Sequence, residues 1–245
     1  MRSFGDLIDG GVGVLQLEGI EIRQDDFTLR ADLGIVPGAR VAVIGPSGAG
    51  KSTLLGALAG FVPLAAGRVL WAGCAITQLG PAARPVSILF QDNNLFPHLS
   101  ARDNVALGVK PSLRLSTSEA ARVDQALARV GLGGLGARKP AQLSGGQQGR
   151  VALARVLLRA QPILLLDEPF SALGPALKAE MLGLLAEICA ETGATLLMVT
   201  HDIADARAIA DQTVLVDAGV ASGPYPTGQI LADPPPGLRA YLGSV

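Results

Sequence analysis

The chain is poor in cysteine and in charge, and it has no long apolar run. Its 245 residues include two cysteines, Cys74 and Cys189, without metal-type spacing. They read as small, buried apolar residues in a reducing compartment. Charged residues make up 17%, below the usual quarter or so. Lys+Arg 20 against Asp+Glu 21 leaves a formal net charge of −1. That excludes a polybasic nucleic-acid binder and leaves room for surface that a partner covers. The hydrophobic fraction of 49% excludes a disordered chain. No segment approaches the roughly 18 apolar residues of a membrane span. Asp6 and Asp9 fall where a signal peptide would carry its apolar core. The expectation is a cytoplasmic protein that another chain holds at any membrane where it works. No internal repeat is visible, and Pro234–Pro236 form a local stiff turn.

At roughly 150 residues per domain, the length allows one large α/β domain or one with an inserted subdomain. Residues 1–13 end in glycines and read as a loose tail. Alternating apolar residues predict strands over Val14–Ile22 and Phe27–Ile35, the second ending at a Pro37-Gly38 turn. Val41–Ile44 is a continuous apolar run, as in a strand buried on both faces. Ser52–Ala59 reads as a helix closed by Gly60. Ser116–Glu119 fits a capping box, with Ala120, Val123, Leu127 and Val130 at helical spacing and Gly131 as the stop. Another helix opens at Ser144 and carries Val151, Ala154, Leu157 and Leu158. Strands follow at Ile163–Leu166, Thr195–Val199 and Thr213–Val216. Between the first two, a helix from Pro175 shows Leu177, Met181, Leu184, Leu185 and Ile188 on one face. The alternation predicts a mainly parallel sheet with a helical insertion.

Gly45-Pro46-Ser47-Gly48-Ala49-Gly50-Lys51-Ser52, followed by Thr53, matches the phosphate-loop pattern between a buried strand and a helix. Glycines let backbone N–H groups curl around phosphate oxygens, and the helix start adds partial positive charge. Lys51 supplies a full charge to the β- and γ-phosphates, and the Ser52 hydroxyl a ligand to Mg²⁺. The strand Ile163–Leu166 ends in Asp167 and Glu168. Alternation sends these side chains in different directions. That suits Asp167 to the Mg²⁺ shell and Glu168 to an attacking water, unless the pair is a plain solvated strand end. Ser144-Gly145-Gly146-Gln147 is either an ordinary helix cap or a second anion-ready tip. One nucleotide does not need two such tips; a head-to-tail dimer would use both. His201, after a strand, can hydrogen-bond a γ-phosphate and position water, or serve structure. Gln91 can reach Mg²⁺ or water through its amide oxygen, or be a loop glutamine. His98 reads as surface or packing.

Together these residues resemble the ATP-binding subunit of ABC transporters, from about Val14 to the C-terminus. The ordered set is Gly45–Thr53 (Walker A), Gln91 (Q-loop), Leu143–Gln147 (signature), Ile163–Glu168 (Walker B) and His201 (H-loop). The resemblance implies a RecA-like α/β P-loop core, an antiparallel β layer and an inserted helical subdomain at about 92–155. It implies ATP and Mg²⁺ as cofactors. Glu168, His201 and Lys51 would be catalytic, and Ser52, Gln91 and Asp167 would hold the metal. Implied partners are a second copy, a transmembrane permease docked on the helical subdomain and, indirectly, a periplasmic binding protein, at the cytoplasmic face of the bacterial inner membrane. Nucleic acid is not among them. Within the class, Arg84–Phe96, Gly108–Ser116, Gln161–Leu173 and Thr195–Val199 are most similar to ATPases of thiamine importers, and Asn93–Phe96 most of all. Importers of sulfate, iron or polyamines have similar cassettes. A soluble ABC ATPase acting on nucleic acid or in translation, or a cassette that has lost hydrolysis, is the alternative. Four features depart from the family: Gln24 where an aromatic residue stacks on adenine, with Phe27 an out-of-register substitute; Gly174 for Asp after Ser171-Ala172-Leu173; Gln148-Gly149 for Arg-Gln; and the N-terminal tail.

Overall fold

A computed structural model describes residues 13–92 and 94–242. Residues 1–12 of the expected tail, and Asn93, lie outside the described residues. The chain divides into two compact units, Met1–Arg84 with Gly193–Val245, and Pro85–Thr192.

The first unit is built on β1 (Leu15–Gln24), β2 (Phe27–Ile35), β3 (Arg40–Ile44), β4 (Ala66–Trp71), β5 (Cys74–Ala75), β8 (Thr195–Val199), β9 (Gln212–Asp217) and β10 (Val220–Pro226). Their order is β5-β4-β1-β2-β10-β9-β3-β8. In β3 and β8 the apolar run is buried at nearly every residue, as expected for strands covered on both faces. β3 is parallel to β8 and to β9, with Val43 opposite Val199 and Val214. β1, β2 and β4 pair antiparallel. β2 buries alternate residues from Leu29 to Ile35. These antiparallel strands continue the same sheet, because β10 runs parallel to β2 at Val220–Arg30 and Ala221–Ala31 and antiparallel to β9. The helices of this unit are α1 (Lys51–Ala59), α6 (Ile203–Ile209), α7 (Thr227–Ala232) and α8 (Pro236–Leu242). Gly60 ends α1 in the left-handed conformation, φ 87.

The second unit holds β6 (Val86–Leu89) and β7 (Ile163–Asp167), parallel, with Leu89 opposite Leu166. Its helices are α2 (Ala101–Ala106), α3 (Thr117–Arg129), α4 (Gly145–Leu158) and α5 (Pro175–Thr192). The first three share a core of Ala101, Val105, Val123, Leu127, Val151 and Ala154. Ser116 and Ser144 each close a capping box, opening α3 and α4. Asn104, fully buried in α2, accepts from Phe96 N–H at 2.8 Å and donates to the carbonyls of Phe96, Leu99 and Ser100. On α5, Met181, Leu185 and Ile188 are buried, but Leu177 and Leu184 only partly. Cys189 is buried; Cys74, in a two-residue strand, is not, which corrects the expectation for that thiol. His98 is exposed, its ring edge-on to Phe96 with centroids 6.0 Å apart. No helix among the described residues is long and apolar enough to cross a membrane.

Candidate functional site

In the first unit, β3 delivers the chain into the phosphate loop. Gly45 has φ 151, and a Cβ there would lie 1.9 Å from the Val216 carbonyl oxygen, so both backbone and space demand glycine. Gly50, at φ 101, caps α1 without any side-chain acceptor. A Cβ on Gly50 would sit 2.5 Å from the Phe27 ring. Phe27, at the start of β2, thus packs against the end of the loop. Lys51 is 8% exposed, and its Nζ donates to the carbonyls of Gly45 (2.9 Å) and Pro46 (2.8 Å). The ammonium is therefore held inside the loop it would serve. Ser47, Gly48 and Ser52 are exposed, with Pro46 and Ala49 partly so. The Thr53 hydroxyl donates to Gln24 Oε1 at 3.3 Å. Gln24, exposed at the end of β1, thus engages the helix of the loop by hydrogen bonding.

Because β3 and β8 are parallel and in register, the loop and His201 leave the sheet at the same edge. His201 is exposed. Beneath it the Thr200 hydroxyl accepts from Asp202 N–H (3.0 Å) and donates to Asp205 (3.3 Å), and Thr200 N–H donates to the Val43 carbonyl (3.3 Å). Asp202 caps α6 by accepting from Ala204 N–H at 2.9 Å. Thr200, Asp202 and Asp205 frame the histidine and were missed in the sequence reading. The Asx cap ahead of a short apolar helix was the available signal.

In the second unit, the β6–β7 register brings Gln91 and the Asp167-Glu168 pair to one strand edge. Gln91 is exposed, and Asp167 is 7% exposed at the last position of β7. Glu168 adopts φ 46, unusual for a residue with a side chain, and its carbonyl accepts from Ser171 Oγ at 3.1 Å. The chain therefore turns at the glutamate, directly after the last residue of β7. Ser144 and Gly145 are exposed at the start of α4. Ser144 Oγ accepts from Gln147 N–H (3.3 Å), and Gln147 Oε1 accepts from Ser144 N–H (3.0 Å). A Cβ on Gly146 would lie 3.0 Å from the Leu173 side chain and 3.3 Å from that of Leu177. Gln147 therefore has a local task, finishing the helix start.

Two of the departures have visible consequences. Gln148 Nε2 donates to the carbonyls of Pro140 (3.0 Å) and Leu143 (3.2 Å), pinning the turn before the tip. Gly174 is exposed, its carbonyl accepts from Lys178 N–H at 2.9 Å, and a Cβ there would meet nothing within 4 Å. A further strut, Arg155 Nη1, donates to the Asn94 carbonyl at 2.8 Å, and burial pushes this guanidinium's pKa down.

The phosphate-loop strand–turn–helix and the paired edges of β6 and β7 are those of an ATP-binding cassette. The ABC transporter family model matches residues 29–171, and the chain belongs to that family. It is 64% identical over 230 residues to the thiamine import ATP-binding protein ThiQ of Cereibacter sphaeroides, covering 94% of this chain and 100% of that protein. It is 59% identical over 231 residues to the protein of the same name from a Ruegeria species, with the same coverage of 94% and 100%. Among solved structures, it is similar to the dimeric post-hydrolysis state of the ATP-binding cassette MJ0796 bound to ADP and Pi. The TM-score is 0.77 and the identity 29%, over 87% of this chain and 98% of that one.

Proposed function

We propose that the chain is the ATP-hydrolysing subunit of an ABC importer that drives thiamine uptake through a separate permease. Near-full-length identity to thiamine import ATP-binding proteins carries this reading. The phosphates lie in the Gly45–Thr53 loop, taking N–H donors from the helix start and the charge of Lys51. Ser52, Gln91 and Asp167 offer oxygen donors, and no cluster of three or more His, Cys, Asp or Glu occurs among the described residues. That donor set fits Mg²⁺, which is bound by a few protein oxygens with phosphate and water completing its shell. When bound, the ion neutralises charge on the phosphates. Glu168 accepts a proton from the attacking water, and His201 holds the γ-phosphate end by hydrogen bonding. Ser144, Gly145, Gly146 and Gln147 face the phosphates of a second copy, so that nucleotide joins two chains.

The domain reading is one cassette over 14–245, preceded by a tail, in which a helical subdomain at about 92–155 docks the permease. The assembly sits on the cytoplasmic face of the inner membrane, with a periplasmic binding protein delivering solute. Closure around two nucleotides does the work, and hydrolysis reverses it.

Glu168→Gln tests the reaction. ATP still binds, hydrolysis falls by orders of magnitude, and dimers accumulate on a sizing column; unchanged turnover would remove Glu168 from the role. Copurification with the permease, followed by thiamine-stimulated ATPase with the binding protein present, tests the solute. Stimulation by sulfate, iron or a polyamine instead would reassign it.

A further inference from the structure

Among the described residues, Arg84 is the one buried arginine, at 5% exposure. Each nitrogen of its guanidinium donates, and all four bonds go to backbone carbonyls of the first unit. Nη1 donates to Ala57 (2.7 Å) and Leu58 (2.8 Å), Nη2 to Thr77 (2.7 Å) and Nε to Leu79 (2.9 Å). None of these bonds goes to a carboxylate. Burial pushes its pKa down from the ordinary arginine value, so the charge is kept at a cost.

Ala57 and Leu58 lie in the last turn of α1, the helix that begins at Lys51. The last carbonyls of a helix have no partner within it and form its negative pole. Arg84 supplies a donor to Leu58, a second donor to Ala57, whose carbonyl also accepts from Gly60 N–H at 3.1 Å, and an opposing charge. The helix is 9 residues long, so the guanidinium acts from about 14 Å behind the phosphate loop. Gly60 makes room for it: a Cβ there would lie 2.8 Å from Arg84 Nε, in a left-handed turn at φ 87. The fold therefore gives up a side chain and buries a charge at this one spot.

We propose that Arg84 is a positioning residue for the phosphate site. From the far end of α1 it fixes the helix along its axis and offsets its negative pole. The N–H groups at the near end then present a stronger and better-registered positive end to phosphate. The effect grows with the ligand's charge, being largest for a nucleoside triphosphate and smallest for a monophosphate. This inference rests on the nucleotide-binding reading above.

The test uses the full chain with Mg²⁺ and compares wild type with Arg84→Lys, Arg84→Gln and Gly60→Ala. Two quantities are read: the thermal midpoint without nucleotide, and dissociation constants for AMP, ADP and ATP by equilibrium titration. Arg84→Gln weakens ATP binding by about threefold to tenfold, ADP binding by less, and leaves AMP unchanged. Arg84→Lys keeps the charge but cannot span four carbonyls, and falls between. Gly60→Ala displaces the guanidinium with its charge intact and also weakens ATP more than AMP. A lowered midpoint with all three affinities unchanged, or reduced by one common factor, overturns the proposal and leaves Arg84 as glue for residues 77–84. If Arg84→Gln is not recovered folded, the other two variants decide by the same readout. A wild-type chain that binds none of the nucleotides overturns the nucleotide-binding reading itself. A wild type that binds ATP, matched by its variants, overturns only the role of Arg84.

Discussion

α1 and α4 both begin at a glycine-rich turn, but their first turns are finished differently. α1 has Gly50 at its cap, in a left-handed conformation with no side-chain acceptor, and a buried lysine immediately after. Its first N–H groups have no side-chain oxygen at the cap to satisfy them. α4 has Ser144 at its cap and a complete capping box with Gln147. The Ser144 and Gln147 N–H groups are satisfied locally, which favours this helix start without a ligand. In the proposed reading, the first tip is the ligand site, and its cap is left open for phosphate. The second is a finished helix start whose exposed Ser144 and Gly145 can be offered to another surface. A cassette that closes around nucleotide needs both kinds: one to hold the ligand, and one to stay formed while the ligand is absent.

The largest expected effect comes from breaking the first tip. Lys51→Ala removes a charged donor, and ATP affinity falls by about tenfold to a hundredfold in titration calorimetry, with hydrolysis lost. An unchanged affinity would mean that backbone donors alone hold the phosphates. The second tip separates stability from function. Ser144→Ala costs about 1 kcal/mol in chemical denaturation, leaves ATP binding by the single chain intact, and lowers turnover of the assembled dimer. Ser144→Asp restores the cap but sets a negative charge against phosphate, so stability returns and turnover does not. Recovery of both would make the serine a cap and nothing more.

The smallest effect compares the two capping boxes. In α3 the reciprocal partner is Glu119, whose pKa is held below the ordinary glutamate value by the Ser116 backbone N–H and then by the Ser116 side chain. In α4 that partner is Gln147, which does not titrate. A lowered native pKa contributes stability that is present above the ordinary value of about 4.3 and is lost as acid titrates the group below it. Acid denaturation therefore weakens the start of α3 and spares that of α4. Glu119→Gln abolishes the difference in amide exchange measured from pH 5 down to 3.

Strong periodicity made much of this fold legible. β2 falls where the alternation of Phe27 to Ile35 put it, and the starts of α3 and α4 follow from their caps. β4 and β10 were not legible. β4 starts with three exposed residues, and β10 carries glycine, two prolines and a register shift between Ser222 and Tyr225, so neither alternates cleanly. α6 was hidden because it is short, and its cap, Asp202, stands directly after His201, which drew the attention. Of the candidate site, the loop and the strand ends could be read from local pattern. The contacts Gln24–Thr53 and Phe27–Gly50 could not, because they join segments far apart in the chain. Arg84 stood in a segment noted only for its likeness to relatives; its burial is a tertiary fact.

The Val216 carbonyl pressed against Gly45 has a consequence for how this protein can change. Any side chain at position 45 collides with the neighbouring strand, so the first bend of the loop is closed to gradual adjustment. A lineage, or a laboratory selection, that retunes nucleotide affinity must do so through exposed residues of the loop, such as Ser47, or from a distance. The corner itself is inherited whole or lost.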